Sequence, residues 1–111
     1  MPNLKIYADE NVHAARAAEL KAALPPLRDL LCRDLSVGPE ACQLALVPVA
    51  GLPDQPLVNV ELLILPRADR TPELVRAVAS AIRDLIAEAA GGAHAAVRIS
   101  QLDPETYIAL K

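Results

Sequence analysis

The segment Leu57–Leu65 (LVNVELLIL) constrains the fold more than any other part of the chain. Val58, Val60, Leu62 and Ile64 alternate onto one wholly apolar face, while Asn59 and Glu61 share the other face with leucines. Period-2 alternation of this kind predicts a central strand that needs sheet neighbours on both sides and a covering layer on its apolar face. Three further strands are legible. Leu4–Ala8 opens the chain, Gln43–Val49 (QLALVPV) carries a proline that belongs at a sheet edge or bulge, and Ala96–Leu102 (AVRISQL) follows late.

Helical patterns lie between the strands. From Ala14 to Leu35 the periodicity is that of a helix, and Pro25-Pro26 is expected to split or kink it. Leu27, Leu30, Leu31 and Leu35 recur at helical spacing, with Arg28, Asp29, Arg33 and Asp34 facing outward. Gly38 is the natural left-handed cap and Pro39 the block to continuation. A second helix is announced by Thr71 as N-cap, Pro72 in the first turn and Glu73 at the positive helix end. Its buried stripe should be Leu74, Val78, Ile82 and Leu85, with Gly91-Gly92 as the stop. Asp103-Pro104-Glu105 opens a short final turn.

The order reads β-α-β followed by β-α-β, two right-handed parallel units in one two-layer α+β domain spanning residues 1–111. The expected architecture is a four-stranded mixed sheet with two helices on one face. Leu57, Leu63 and Leu65 would then meet water on the opposite face, which predicts self-association through it.

Composition narrows the function classes. The chain is 53% hydrophobic, with no Phe, no Trp and two Tyr, so small aliphatics must fill the core. A net charge of −3 and a pI near 5.3 argue against a general nucleic-acid or anionic-membrane binder. Neither a signal peptide nor a membrane span is visible, so the cytoplasm is the expected compartment. Cys32 and Cys42 lie outside any C-x-x-C pattern and read as reduced thiols, and His13 and His94 lack metal-ligand spacing. Tyr107 reads as a packing residue.

Two features carry chemistry. Pro2 follows Met1 directly, and removal of Met1 would place a secondary amine at the head of a buried strand. Burial and neighbouring cations would lower its pKa and make it a base near neutral pH; a proline at this position by chance is the competing reading. Arg67-Ala68-Asp69-Arg70 sets two guanidinium groups beside a helix N-terminus, an arrangement suited to a carboxylate or phosphate. The alternative is two solvated loop arginines, one paired with Asp69.

The segments MPNLKIYADEN, VNVELLILPRADRTPE and VRISQLDPETY together resemble the tautomerase superfamily, most closely its 5-carboxymethyl-2-hydroxymuconate isomerase-like branch. The resemblance implies a homotrimer whose sheets wrap a central barrel, with active sites near subunit boundaries. It also implies a cofactor-free and metal-free isomerase acting on a small carboxylate substrate, with Pro2 as the acid/base, Arg70 binding a carboxylate and Arg67 as its adjacent candidate. Two departures stand out: Gln43-Leu44-Ala45-Leu46 occupies the strand where such isomerases carry an arginine, and the stretch from Asn11 to Gly38 is longer than usual. The alternative expectation is therefore a trimeric relative without turnover, serving to bind small acids or to assemble.

Overall fold

The computed structural model describes residues 1–111. Four strands, β1 (Asn3–Asp9), β2 (Gln43–Val49), β3 (Val58–Ile64) and β4 (Ala95–Gln101), form one sheet in the order β2-β1-β3-β4. β1 pairs parallel to β2 and antiparallel to β3, and β3 pairs parallel to β4. The two strands richest in alternating apolar residues thus hold the centre, and Pro48 sits exposed on edge strand β2, where its missing donor costs no ladder bond.

Helices α1 (Glu10–Ala22), α2 (Leu24–Leu35) and α3 (Pro72–Ala89) cover one face, three where two were expected. The first begins directly at the end of β1, because the Asp9 side chain accepts from the Asn11 amide at 3.0 Å and caps it. The break comes at Ala23, earlier than the double proline. Pro25 and Pro26 fall in the first turn of α2, where backbone amides lack intrahelical partners, so they start a helix instead of ending one. Ser36, at φ 54° and ψ 56°, takes the left-handed position after α2; Gly38 is extended at φ −80°. A single 3-10 turn (Pro39–Ala41) then leads into β2.

Thr71 caps α3 as the sequence predicts, accepting from the Leu74 amide at 3.2 Å, and Gly91 and Gly92 end it at positive φ. The buried stripe of α3 is Val78, Ile82 and Ile86; Leu85 is only half-buried. These residues close with Leu27, Leu30, Leu31 and Leu35 of α2 over Leu4, Ile6, Val58, Val60, Leu62 and Ile64 of the sheet. The core is aliphatic throughout. No helix is long and apolar enough to cross a membrane.

The opposite sheet face has no covering layer. Strand register aligns Lys5, Glu61 and Arg98 across β1, β3 and β4 as a row of alternating charge, with half-buried Tyr7, Val47 and Leu63 around it. This face is more polar than the leucines of β3 alone imply.

Candidate functional site

Register and termini bring the site together at one end of the sheet. Pro2 is buried immediately before β1, and its carbonyl accepts from the Gln43 amide at 2.9 Å, extending the β1·β2 ladder by one bond. Because Asn3 pairs with Leu63, continuing the antiparallel register sets Pro2 opposite Ile64 and Met1 opposite Leu65. The C-terminal tail folds back to the same place. Asp103 nucleates its turn, with its side chain accepting from the Glu105 amide and its carbonyl from the Tyr107 amide, both at 2.9 Å. Beyond that turn Tyr107, Ala109, Leu110 and Lys111 join Met1, Pro2, Cys42 and Gln43 around a cavity of about 180 Å³, and the Lys111 ammonium reaches the Met1 sulfur.

Arg67 and Arg70 converge on the C-terminal end of α2. The Arg70 guanidinium is buried at 6% exposure; Nη1 donates to the Leu65 carbonyl at 2.6 Å and Nη2 to the Leu35 carbonyl at 3.2 Å. Its Nε, also buried, has no partner. Arg67 is exposed. It donates through Nη1 to the Ser36 carbonyl at 3.3 Å and more weakly to that of Leu35 at 3.5 Å, while Nη2 meets Asp69 at 3.2 Å. Both cations thereby satisfy the last carbonyls of a helix and sit where its dipole favours positive charge. Burial, then Arg67, holds the Arg70 pKa below the ordinary arginine value, against a smaller opposing pull from Asp69. The structure brings Arg70 close to the chain terminus but commits its two terminal nitrogens to backbone.

The terminal amine is the most informative titratable group here. Burial lowers its pKa from 8.0, Arg70 and Lys111 lower it further, and Cys42 opposes them weakly. Its positive neighbours thus come from both the loop after β3 and the C-terminal tail.

Cys42 stands beside that amine. Its thiol lies 3.9 Å from the Cys32 sulfur, and burial followed by the contact with Cys32 pushes its pKa up to about 11. A thiol raised above 9.0 on folding contributes stability that is fully present below pH 9 and lost as pH climbs through about 11. Thermal unfolding of the wild type is therefore expected to fall over that window, and Cys42→Ser to flatten the decline. Equal pH slopes in the two proteins would contradict the assignment.

Sequence reasoning did not identify Lys111 or Cys42 as neighbours of Pro2, and it gave Tyr107 only a packing role. No local signal could have found them, since the contacts depend on how the tail and the 3-10 turn fold back. His13 and His94 lie apart from this site, and no cluster of three or more potential metal-ligating side chains occurs.

No known family profile and no curated protein matches the sequence. Solved structures do match the fold. A protein of unknown function from Vibrio cholerae O1 biovar eltor shares 23% identity over 97% of this chain and 83% of its own, with a TM-score of 0.76. A native fused 4-OT shares 20% identity over 90% and 86% at a TM-score of 0.68. The macrophage migration inhibitory factor of Toxoplasma gondii shares 11% over 96% and 95% at 0.72. These likenesses, none above 23% identity, show the fold that the chain shares with them: a mixed four-stranded sheet in a β-α-β-β-α-β-like order, here with the first helical segment divided in two.

Proposed function

We propose that this chain is a cofactor-independent isomerase of the tautomerase type, moving a proton within a small carboxylated enol or keto acid, with Pro2 as acid/base once Met1 is removed. The observation that carries the reading is that buried Pro2 and the chain's terminal amine border one cavity with Lys111, while the charges of Arg70 and Lys111 both lower the pKa of an amine placed there. Removal of Met1 transfers that amine to Pro2, a residue already buried, where desolvation acts on it more strongly. The neutral proline nitrogen takes a proton from the enol oxygen or from the carbon beside a carbonyl, becomes a cation, and returns the proton to a conjugated carbon. No net charge is gained or lost in the cycle, so no cofactor or metal is invoked.

Within this proposal the cationic residues divide their work. Arg70 acts on the amine through its charge, its Nε being buried and its terminal nitrogens bonded to backbone carbonyls, whereas exposed Arg67 can turn from Ser36 toward a substrate carboxylate. Lys111 on the cavity and the 5-carboxymethyl-2-hydroxymuconate isomerase-like segments support a small carboxylate as substrate, and the proposal takes the cytoplasm as the place of action. The test is ketonisation of 2-hydroxymuconate by untagged protein whose intact mass shows Met1 removed, with Met1-retaining protein as control. Turnover confined to the processed form is the expected result; equal turnover in both forms, or none in either, rejects Pro2 as the base for enol acids.

A homotrimer belongs to the same proposal. Two of the fold neighbours, both fused 4-OT proteins, are described as trimers, and the uncovered sheet face with Leu63, Val47 and Tyr7 supplies a surface for such packing. Sedimentation at micromolar concentration should give a trimer that Leu63→Glu dissociates. A stable wild-type monomer would contradict it.

A second reading has its own observation. β2 carries no cation, and Arg70 spends both terminal nitrogens on the Leu65 and Leu35 carbonyls, which leaves few groups to clamp a dianion. A trimeric relative that binds small acids, or only assembles, would show carboxylate binding without isotope exchange at carbon.

A further inference from the structure

Cys32 and Cys42 belong to different elements, one on α2 and the other between the 3-10 turn and β2, yet their sulfurs lie 3.9 Å apart. A disulfide needs about 2.0 Å between sulfurs, so the two must close by about 2 Å. The connecting segment is not a rigid helix or strand. It passes through left-handed Ser36, extended Gly38 and one 3-10 turn, and the Cys42 sulfur also lies 3.8 Å from the Gly38 carbonyl. Both cysteines are half-buried, open enough for a small reagent.

Nothing in the proposed proton transfer uses this pair, but one member borders its site. Cys42 lines the cavity that holds Pro2, and also a neighbouring depression of about 280 Å³ with Arg28, Leu24 and Pro25. The residue after Cys42 donates its backbone amide to the Pro2 carbonyl. A shift of Cys42 toward α2 would therefore be felt at Pro2 through one peptide unit.

We propose that Cys32 and Cys42 form a reversible intramolecular disulfide that couples thiol redox state to the cavity at Pro2. The oxidant is a small-molecule disulfide of the glutathione class. Cys32, as thiolate, attacks one sulfur of the reagent, forms a mixed disulfide and releases the first small thiol. Cys42, after losing its proton, displaces the second small thiol from Cys32 and closes the protein disulfide. Two protein thiols and one small disulfide become one protein disulfide and two small thiols; the protons leave on those thiols. Cys32 enters first because burial works against the Cys42 thiolate, and Arg28 beside Cys42 favours that thiolate in the second step.

The test incubates the full chain with glutathione disulfide and follows intact mass, free thiols and the backbone amide resonance of Gln43. The expected result is loss of both thiols, a mass lower by two hydrogens with no retained glutathione, a chain that stays unlinked to other copies on non-reducing gels, and a shifted Gln43 resonance. Dithiothreitol should reverse the thiol loss, the mass change and the resonance shift, and Cys42→Ser should instead keep glutathione on Cys32. A persistent adduct on the wild type, a disulfide between copies, or two thiols still free would overturn the redox pair. A closed disulfide with an unmoved Gln43 resonance would overturn its coupling to the cavity. None of these readouts depends on turnover, so failure of the isomerase reading would not mimic failure of this one.

Discussion

Replacing Pro2 by alanine in Met1-free protein is expected to lower kcat/KM for an enol acid by roughly 10²-fold, the lower end of the range for a positioned acid/base. The loss is not total because alanine still ends in an amine. What disappears is the ring that fixes the nitrogen relative to the cavity and the secondary-amine character of the base. The fold should survive, since the bond from the Gln43 amide is made to the backbone carbonyl of residue 2, which alanine keeps. The pH profile is a second readout. A base acts in its neutral form, so kcat/KM should rise with pH to a plateau, with the apparent pKa of that rise lowered from that of a free proline amine by burial and by the same Arg70 and Lys111 charges that lower the Met1 amine pKa. Unchanged kcat/KM in the variant, or a wild-type kcat/KM that does not rise with pH, would remove Pro2 from the mechanism.

Arg70→Ala should be the most destabilising single change near the site, by about 3 kcal/mol, or roughly 10 °C in melting temperature for a chain of this size. The guanidinium is the only charged group in the buried set, and its loss strands the Leu65 carbonyl and leaves that of Leu35 only the weak 3.5 Å bond from Arg67. It also removes the charge that meets the end of α2 and ties β3 to that helix. Arg70→Lys keeps the charge but cannot fork between two carbonyls, so it should recover only part of the stability. Chemical denaturation of the three proteins measures this. If Arg70→Ala melts within a degree or two of wild type, the two hydrogen bonds do not hold the loop, and Arg70 becomes a more credible substrate clamp.

The contrast between Arg67 and Arg70 shows how far local sequence carries a site. The pattern Arg67-Ala68-Asp69-Arg70 before Thr71-Pro72 correctly marks two cations next to a capped helix start. Nothing in that pattern says that the end of a different helix, thirty-odd positions earlier, supplies the Leu35 carbonyl to both of them. The double proline is similar. Its restriction of φ and its missing amide are local facts, but whether they end one helix or begin another depends on the turn before them, and Ala23 could bend there. Gly38 was the steric favourite for the left-handed position, yet Ser36 takes it, because the last turn of α2 ends where Leu35 is drawn into the core and toward the arginines.

The sequence by itself determined the alternation that makes β3 central, the proline that sends β2 to an edge, the capped start of α3 and the α+β order of elements. Each of these follows from a period, a cap or a missing donor that acts within a few residues. Only the tertiary structure decided that the two termini meet beside Pro2, that Arg70 is buried against two carbonyls, and that Cys32 and Cys42 come within 3.9 Å. The physical reason is that such contacts join residues far apart in the chain, and their free energy is realised only once the sheet register and the packing of α2 on it have fixed the distances.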